Sequence, residues 1–210
     1  MVNVVNIAPL TQLFKLRMGL TMNDTVTVLL CGVGGQGTIL AADLLAKTAL
    51  ANGLEVKVSE IHGMSQRGGS VTTTVRFGSH VHSMVHDLAS CDYIVSFEAV
   101  EALRNLPYLK ENGILIVSDE EIKSLPVLIG NQHMPKNTKA QLNAVGAHLL
   151  DANGLALRAG NIKTSNVVLL GYLAKFLGFS DETWEEVIAS RVPSKTIEIN
   201  LAAFHKGKEA

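Results

Sequence analysis

Cysteine is nearly absent: Cys31 and Cys91 are the only two in 210 residues. That excludes a disulfide framework, and also an iron–sulfur cluster held by this chain alone, since such a cluster normally takes four thiolates. Both cysteines sit in or beside apolar runs that read as central strands, where a thiol behaves as a small hydrophobe; a reduced, cytoplasmic setting is expected. Charge is scarce and balanced, 18 basic against 19 acidic residues for a net of -1. Nothing in that balance attracts nucleic acid or an anionic membrane. No apolar stretch is long enough to cross a bilayer. Val2 to Phe14 is fairly apolar, but Lys15 and Arg17 follow it, the reverse of the signal-peptide order, and export is not expected. Residues 1–22 read as an N-terminal extension, or as a start placed upstream of the true one at Met18 or Met22, ahead of a single domain over 23–210. Also missing are a nucleophile elbow, an H-E-x-x-H pair, a P-loop lysine and a paired-carboxylate motif. No residue is expected to be catalytic in this chain alone. Apolar residues are plentiful, at 47% of the chain with a mean hydropathy of +0.25. That is high for a surface wholly facing water, and a face buried against a partner would account for it.

The pattern along the chain is that of an α/β domain. Thr25 to Cys31 is a β-rich apolar run ending at glycine, and Gly35 to Ala51 has the helical spacing of Ile39, Leu40, Leu44, Leu45 and Ala49. Leu54 to Glu60 alternates as a strand, so a βαβ unit with parallel pairing is expected. After a polar, glycine-rich loop at 61–69, Ser70 to Phe77 and Val81 to His86 alternate around Gly78-Ser79 as a hairpin would. Tyr93 to Phe97 and Gly113 to Ser118 read as buried strands flanking a short helix, Ala99 to Leu106, stopped by Pro107. Residues 120–143 form a weakly patterned excursion, Val145 to Asp151 a last strand, and 153–205 three helical pieces punctuated by Gly160, Gly178 and Pro193. The fold class is α/β: a doubly wound, mostly parallel Rossmann-like sheet with a β-hairpin insertion and a helical C-terminal end.

The sharpest local signal is Gly32-Val33-Gly34-Gly35-Gln36-Gly37, a G-x-G-x-x-G pattern placed after a strand and opening a helix. Glycines there permit a tight turn and close approach of a ligand, and the helix start offers free N–H groups to an anion. Glu60, about twenty residues on at the end of the second strand, could serve a dinucleotide ribose. The chain instead continues into His62-Gly63 and Arg67-Gly68-Gly69, a loop better suited to a phosphate or a partner. Three readings stay open: a bound NAD(P), an anion or partner contact, and a purely structural turn. Arg67, between flexible neighbours, is a good bidentate anion ligand. His62, His80, His82 and His86 raise the question of a metal, but no carboxylate or thiol lies at a matching spacing and no metal site is expected.

Taken together, GVGGQG at 32–37 and VSEIHGMSQRGGSVTTTVRFG at 58–78 closely resemble the gamma-type domain of the 2-oxoacid:ferredoxin oxidoreductases. SEIHGMSQRGGSV is similar to the small, beta subunit of the indolepyruvate enzymes. The likeness continues through Asp151-Ala152, Gly160-Asn161, Asn166, Leu170-Gly171, Lys195, Glu198, Asn200, Ala203-Phe204 and Gly207, and covers nearly everything from residue 25 onward. It implies a subunit inactive alone, joined to a large partner that holds thiamine diphosphate, Mg and [4Fe–4S] clusters and passes electrons to ferredoxin. The reaction implied is oxidative decarboxylation of an aryl 2-oxoacid with coenzyme A as acyl acceptor. Pyruvate, 2-oxoglutarate or branched 2-oxoacids remain alternatives, as does a stand-alone nucleotide-binding module. The resemblance places coenzyme A, or the partner, at Gly32, Gly34, Gly35, Gln36, Gly37, His62, Gly63, Arg67, Gly68 and Gly69.

Overall fold

The computed structural model describes residues 25–62 and 69–210. The expected extension at 1–22, and Gly63, Arg67 and Gly68, lie outside the described residues; His62 is described in its backbone only. A first strand, β1 (Thr25–Val33), runs through a tight turn into helix α1 (Thr38–Ala51), followed by β2 (Glu55–His62) and β3 (Ser70–Gly78). Next come β4 (Cys91–Ser96), α2 (Ala99–Asn105), β5 (Leu109–Ser118), the short helices α3 (Leu125–Leu128) and α4 (Thr138–Ala144), and β6 (His148–Leu150). Helices α5 (Ala152–Ala159), α6 (Ser165–Leu177), α7 (Asp181–Arg191) and α8 (Ile197–Glu209) complete the order, four helical pieces where three were expected.

The six strands form one sheet in the order β2-β3-β1-β4-β5-β6. Alternation along β1 sends Val26, Val28 and Leu30 to one face and Leu29 and Cys31 to the other, and all five are buried. Helices cover both faces, as a doubly wound parallel sheet requires. The larger core joins α1, α5, α6, α7 and α8 to one face; α2 and α4, through Ala99, Ala102 and Leu142, cover the other.

Two expected pairings are corrected. β1 and β2 do not pair with each other, because β3 lies between them, antiparallel to both over its full length. The antiparallel ribbon is therefore β2 with β3, and residues 81–86 form no strand. The reason is topological: both edges of β3 are already filled, leaving no ladder for 81–86 to join. Sheet side chains satisfy that segment's backbone instead. Arg76 donates to the Ser83 and Val85 carbonyls at 2.6 and 2.9 Å, Thr25 to His80 O at 3.0 Å and Lys57 to His82 O at 3.3 Å. Glu55 accepts the Val81 N–H at 3.1 Å and pairs with His80 at 2.7 Å.

Candidate functional site

The ends of β1, β4 and β5 and the start of β3 converge at one end of the sheet. Chain connections leave β1 and β4 in opposite directions there, which opens a crevice of the kind where doubly wound sheets bind ligands. The glycine turn occupies the centre of this end. Gly35 and Gly37 hold φ of 107° and 81°, values that side chains with a Cβ rarely adopt. The Gly34 N–H donates to the Gly69 carbonyl at 2.8 Å, so the two glycine motifs of the sequence meet through the backbone.

Gln36 braces the turn from within. Its Oε1 accepts the Val33 N–H at 2.7 Å, and its Nε2 donates to Phe97 O at 2.9 Å and to Glu120 at 3.2 Å. Sequence reasoning placed Gln36 among the ligand contacts; its amide is engaged on both atoms by the protein. Gly32 leaves room for this brace, since a Cβ there would stand 2.7 Å from Gln36 Oε1. Gly37 leaves room for Asn166, whose Nδ2 donates to the Gly37 carbonyl at 3.1 Å.

Two clefts flank the turn. The first, about 310 Å³, is lined by Gly34, Gly35, Gly37, Thr38, Ile39, Glu60 and Val71. Helix α1 begins in it with Gly37 as its cap, no side-chain cap bond and no acidic residue in its first turn. A helix start left in that state favours an anion through its N–H groups and its dipole. Glu60 lines the same cleft, in the place a ribose contact would need.

The second cleft, about 570 Å³, lies on the α2 side and was not legible in the motifs. Val33, Gly69, Ser70, Val100, Ile122, Val127, Leu128 and Met134 contribute to its walls, as do Arg104, Lys123 and the buried Glu98 and Glu101, 1% and 5% exposed. Glu98 caps α2 by accepting the Glu101 N–H at 2.7 Å and also accepts the Ile122 N–H at 3.0 Å. Burial pushes its carboxyl above the usual range, opposed by those N–H groups and reinforced by the nearby Glu101 charge. Glu101 accepts from Ser70 Oγ at 2.6 Å and pairs with Arg104 at 3.2 Å. One signal could have found Glu98: it directly follows a buried strand, at the end where such sheets carry their sites.

Residues 27–210 match the pyruvate ferredoxin/flavodoxin oxidoreductase family. The chain belongs to this family. It is 43% identical over 190 residues to indolepyruvate oxidoreductase subunit IorB of Thermococcus kodakarensis, covering 87% of this chain and 94% of that one. The corresponding subunit of Methanothermobacter thermautotrophicus is 35% identical over 193 residues, covering 89% and 96%. Among solved structures, the gamma subunit of a keto/oxoacid ferredoxin oxidoreductase from Geobacter sulfurreducens shares the fold, with a TM-score of 0.66 at 24% identity over 88% of this chain and 96% of that one. The 2-oxoglutarate:ferredoxin oxidoreductase of Magnetococcus marinus shares it at a TM-score of 0.69 and 21% identity, over 89% of this chain but 31% of its own.

Iron–sulfur clusters do not fit this member of the family. Its two cysteines lie wholly buried in the sheet, with thiols that burial pushes up to about 12. Among the described residues, no group of three or more His, Cys, Asp and Glu side chains is placed to hold a metal ion. His80 is engaged with Glu55 and stacks edge-on against His82. None of the described helices is long and apolar enough to cross a membrane.

Proposed function

We propose that the chain is the small subunit of a thiamine- and ferredoxin-dependent 2-oxoacid oxidoreductase that converts indolepyruvate, or a related aryl 2-oxoacid, to its acyl-coenzyme A. A large partner subunit holds thiamine diphosphate, Mg and the [4Fe–4S] clusters and passes electrons to ferredoxin. This chain contributes the glycine-turn end of its sheet. The uncapped start of α1 takes a phosphate of coenzyme A, with Gly34, Gly35 and Gly37 admitting it closely, and Gly63, Arg67 and Gly68 belong to the same contact with coenzyme A or with the partner. The observation that carries this reading is the identity to subunits named for indolepyruvate, 43% over 87% of the chain, joined to the meeting of the two glycine motifs at Gly34 and Gly69.

Co-expression with the large thiamine and iron–sulfur subunit should give a complex that reduces ferredoxin with indolepyruvate and coenzyme A, while neither chain does so alone. Failure of the two to associate would remove the proposal. A second reading, a nucleotide-binding module acting on its own, is favoured by one feature: Glu60 and the glycine turn share a cleft. Calorimetry separates the two, since that module would bind NAD, NADP or FAD tightly and coenzyme A weakly.

A further inference from the structure

The start of α1 is held by a residue that takes no part in lining its cleft. Gly37 O, the first acceptor of the helix, receives two donors, the Ala41 N–H at 3.1 Å and Asn166 Nδ2 at 3.1 Å. Asn166 is buried, and its Oδ1 accepts the Val167 N–H at 2.9 Å, so the side chain turns its NH2 group to the glycine turn. The peptide joining Gly37 to Thr38 is planar and trans, with its C=O and N–H on opposite sides. Fixing the carbonyl therefore fixes the Thr38 N–H, which points back out of the helix start, into the cleft that Gly37, Thr38 and Ile39 line. Glycine by itself resists rotation of that peptide poorly, and Asn166 supplies the restraint. A second polar group on this side of the sheet also lacks a partner. Thr73 stands opposite Glu60 and two residues from Val71, on the β3 face that carries Val71 to the cleft; it is 1% exposed, and its Oγ1 has no hydrogen-bond partner among the described residues. Buried hydroxyls are seldom left in that state, and an unpaired one beside an uncapped helix start suits a place built for a polar guest.

We infer that Asn166 is a positioning residue for the phosphate-bearing acceptor: acting through Gly37, it aims the first N–H groups of α1 at the phosphate and so sets how tightly the acceptor is held. The inference rests on the functional reading above, that a phosphate of coenzyme A lies at this helix start, and adds the residue outside the cleft that governs the grip. The chemistry calls for an amide. A carboxylate in its place could not donate to Gly37 O, and it would bring negative charge to the helix end that favours anions. An aliphatic side chain would leave the peptide free to turn its N–H out of line, and a donor that must be reoriented on binding grips less well than one already aimed.

The test uses the assembled complex and two acceptor thiols, coenzyme A and pantetheine, which has the same thiol arm and no phosphate. Asn166→Ala should raise the KM for coenzyme A about tenfold, the worth of one well-made hydrogen bond, while kcat stays within about twofold. Asn166→Asp should raise that KM further, because it adds a charge of the phosphate's own sign at the helix start. With pantetheine both variants should keep the kcat/KM of the unmodified complex, since no phosphate is there to be gripped. A residue that merely supports the fold would weaken both acceptors alike. An unchanged KM for coenzyme A in both variants overturns the inference. So does an equal loss with pantetheine, or failure of both variants to assemble. An unmodified complex that uses pantetheine as well as coenzyme A would instead defeat the reading of this helix start as a phosphate site.

Discussion

Substituting Gly37 by alanine separates the backbone demands of the glycine turn from its packing demands. The residue sits at φ 81°, where a Cβ costs about 1 kcal/mol. That Cβ would also stand 2.5 Å from Asn166 Nδ2, closer than real contacts allow, so the amide must swing away from the Gly37 carbonyl it now bonds at 3.1 Å. Asn166 is 3% exposed, and losing that bond in a buried setting adds roughly 1–2 kcal/mol. The sum is about 2–3 kcal/mol, or roughly 5–10 °C in Tm for a chain of this size. Gly35 supplies the control, since its φ of 107° carries the same kind of strain but a Cβ there meets nothing within 4 Å, and Gly35→Ala should lose only about 1 kcal/mol. The decisive measurement is a double-mutant cycle by urea denaturation of the purified chain. With Asn166→Ala in the background the clash is gone, so the double variant should be more stable than the sum of the singles by about 1 kcal/mol. Strict additivity, or equal losses at Gly35 and Gly37, would refute the reasoning.

Gln36→Leu removes the brace under the turn and strands the Val33 N–H; a loss of about 2 kcal/mol is expected, with a higher KM for coenzyme A in the complex, and wild-type values for both would contradict the brace. Cys31 and Cys91 should resist a thiol reagent at pH 8 and react only as denaturant unfolds the chain, because burial pushes both thiols up to about 12; labelling of the native protein within minutes would be inconsistent with this. The Val81 N–H, with the His80 charge assisting, lowers the Glu55 carboxyl below its ordinary 4.5, so its contribution to stability is present above 4.5 and fades as pH falls through the lowered folded value. Glu55→Gln should therefore flatten the acid limb of a Tm against pH curve, and a variant that tracks the wild type at every pH would count against the tether.

The sheet was readable wherever one strand's pattern sufficed. Doubly buried runs such as Val26 to Cys31 announce central strands covered on both faces, and the glycine turn announces the helix after β1. Pairing was not readable, because Ser70 to Phe77 and Val81 to His86 alternate equally well. What separates them is that β3 captures partners on both edges, Thr25–Val33 on one side and Glu55–His62 on the other. The second cleft escaped for a related reason: Glu98 and Glu101 stand in an unremarkable helix start, and they line a cleft only together with the segment after β5. The C-terminal likeness to the family shows the opposite case, residues legible as a pattern whose physical meaning only the fold supplies. A Cβ on Gly171 would stand 2.0 Å from the Phe204 carbonyl, and one on Gly207 1.9 Å from the Val168 carbonyl, so these two glycines let α6 and α8 touch backbone to backbone. Asn166, at the start of α6, then reaches across 129 residues of sequence to the carbonyl of Gly37. The tail and the glycine turn are thus one mechanical unit: glycines set the depth of α6 against α8, the position of α6 sets Asn166, and Asn166 holds the end of the turn that lies between the two clefts.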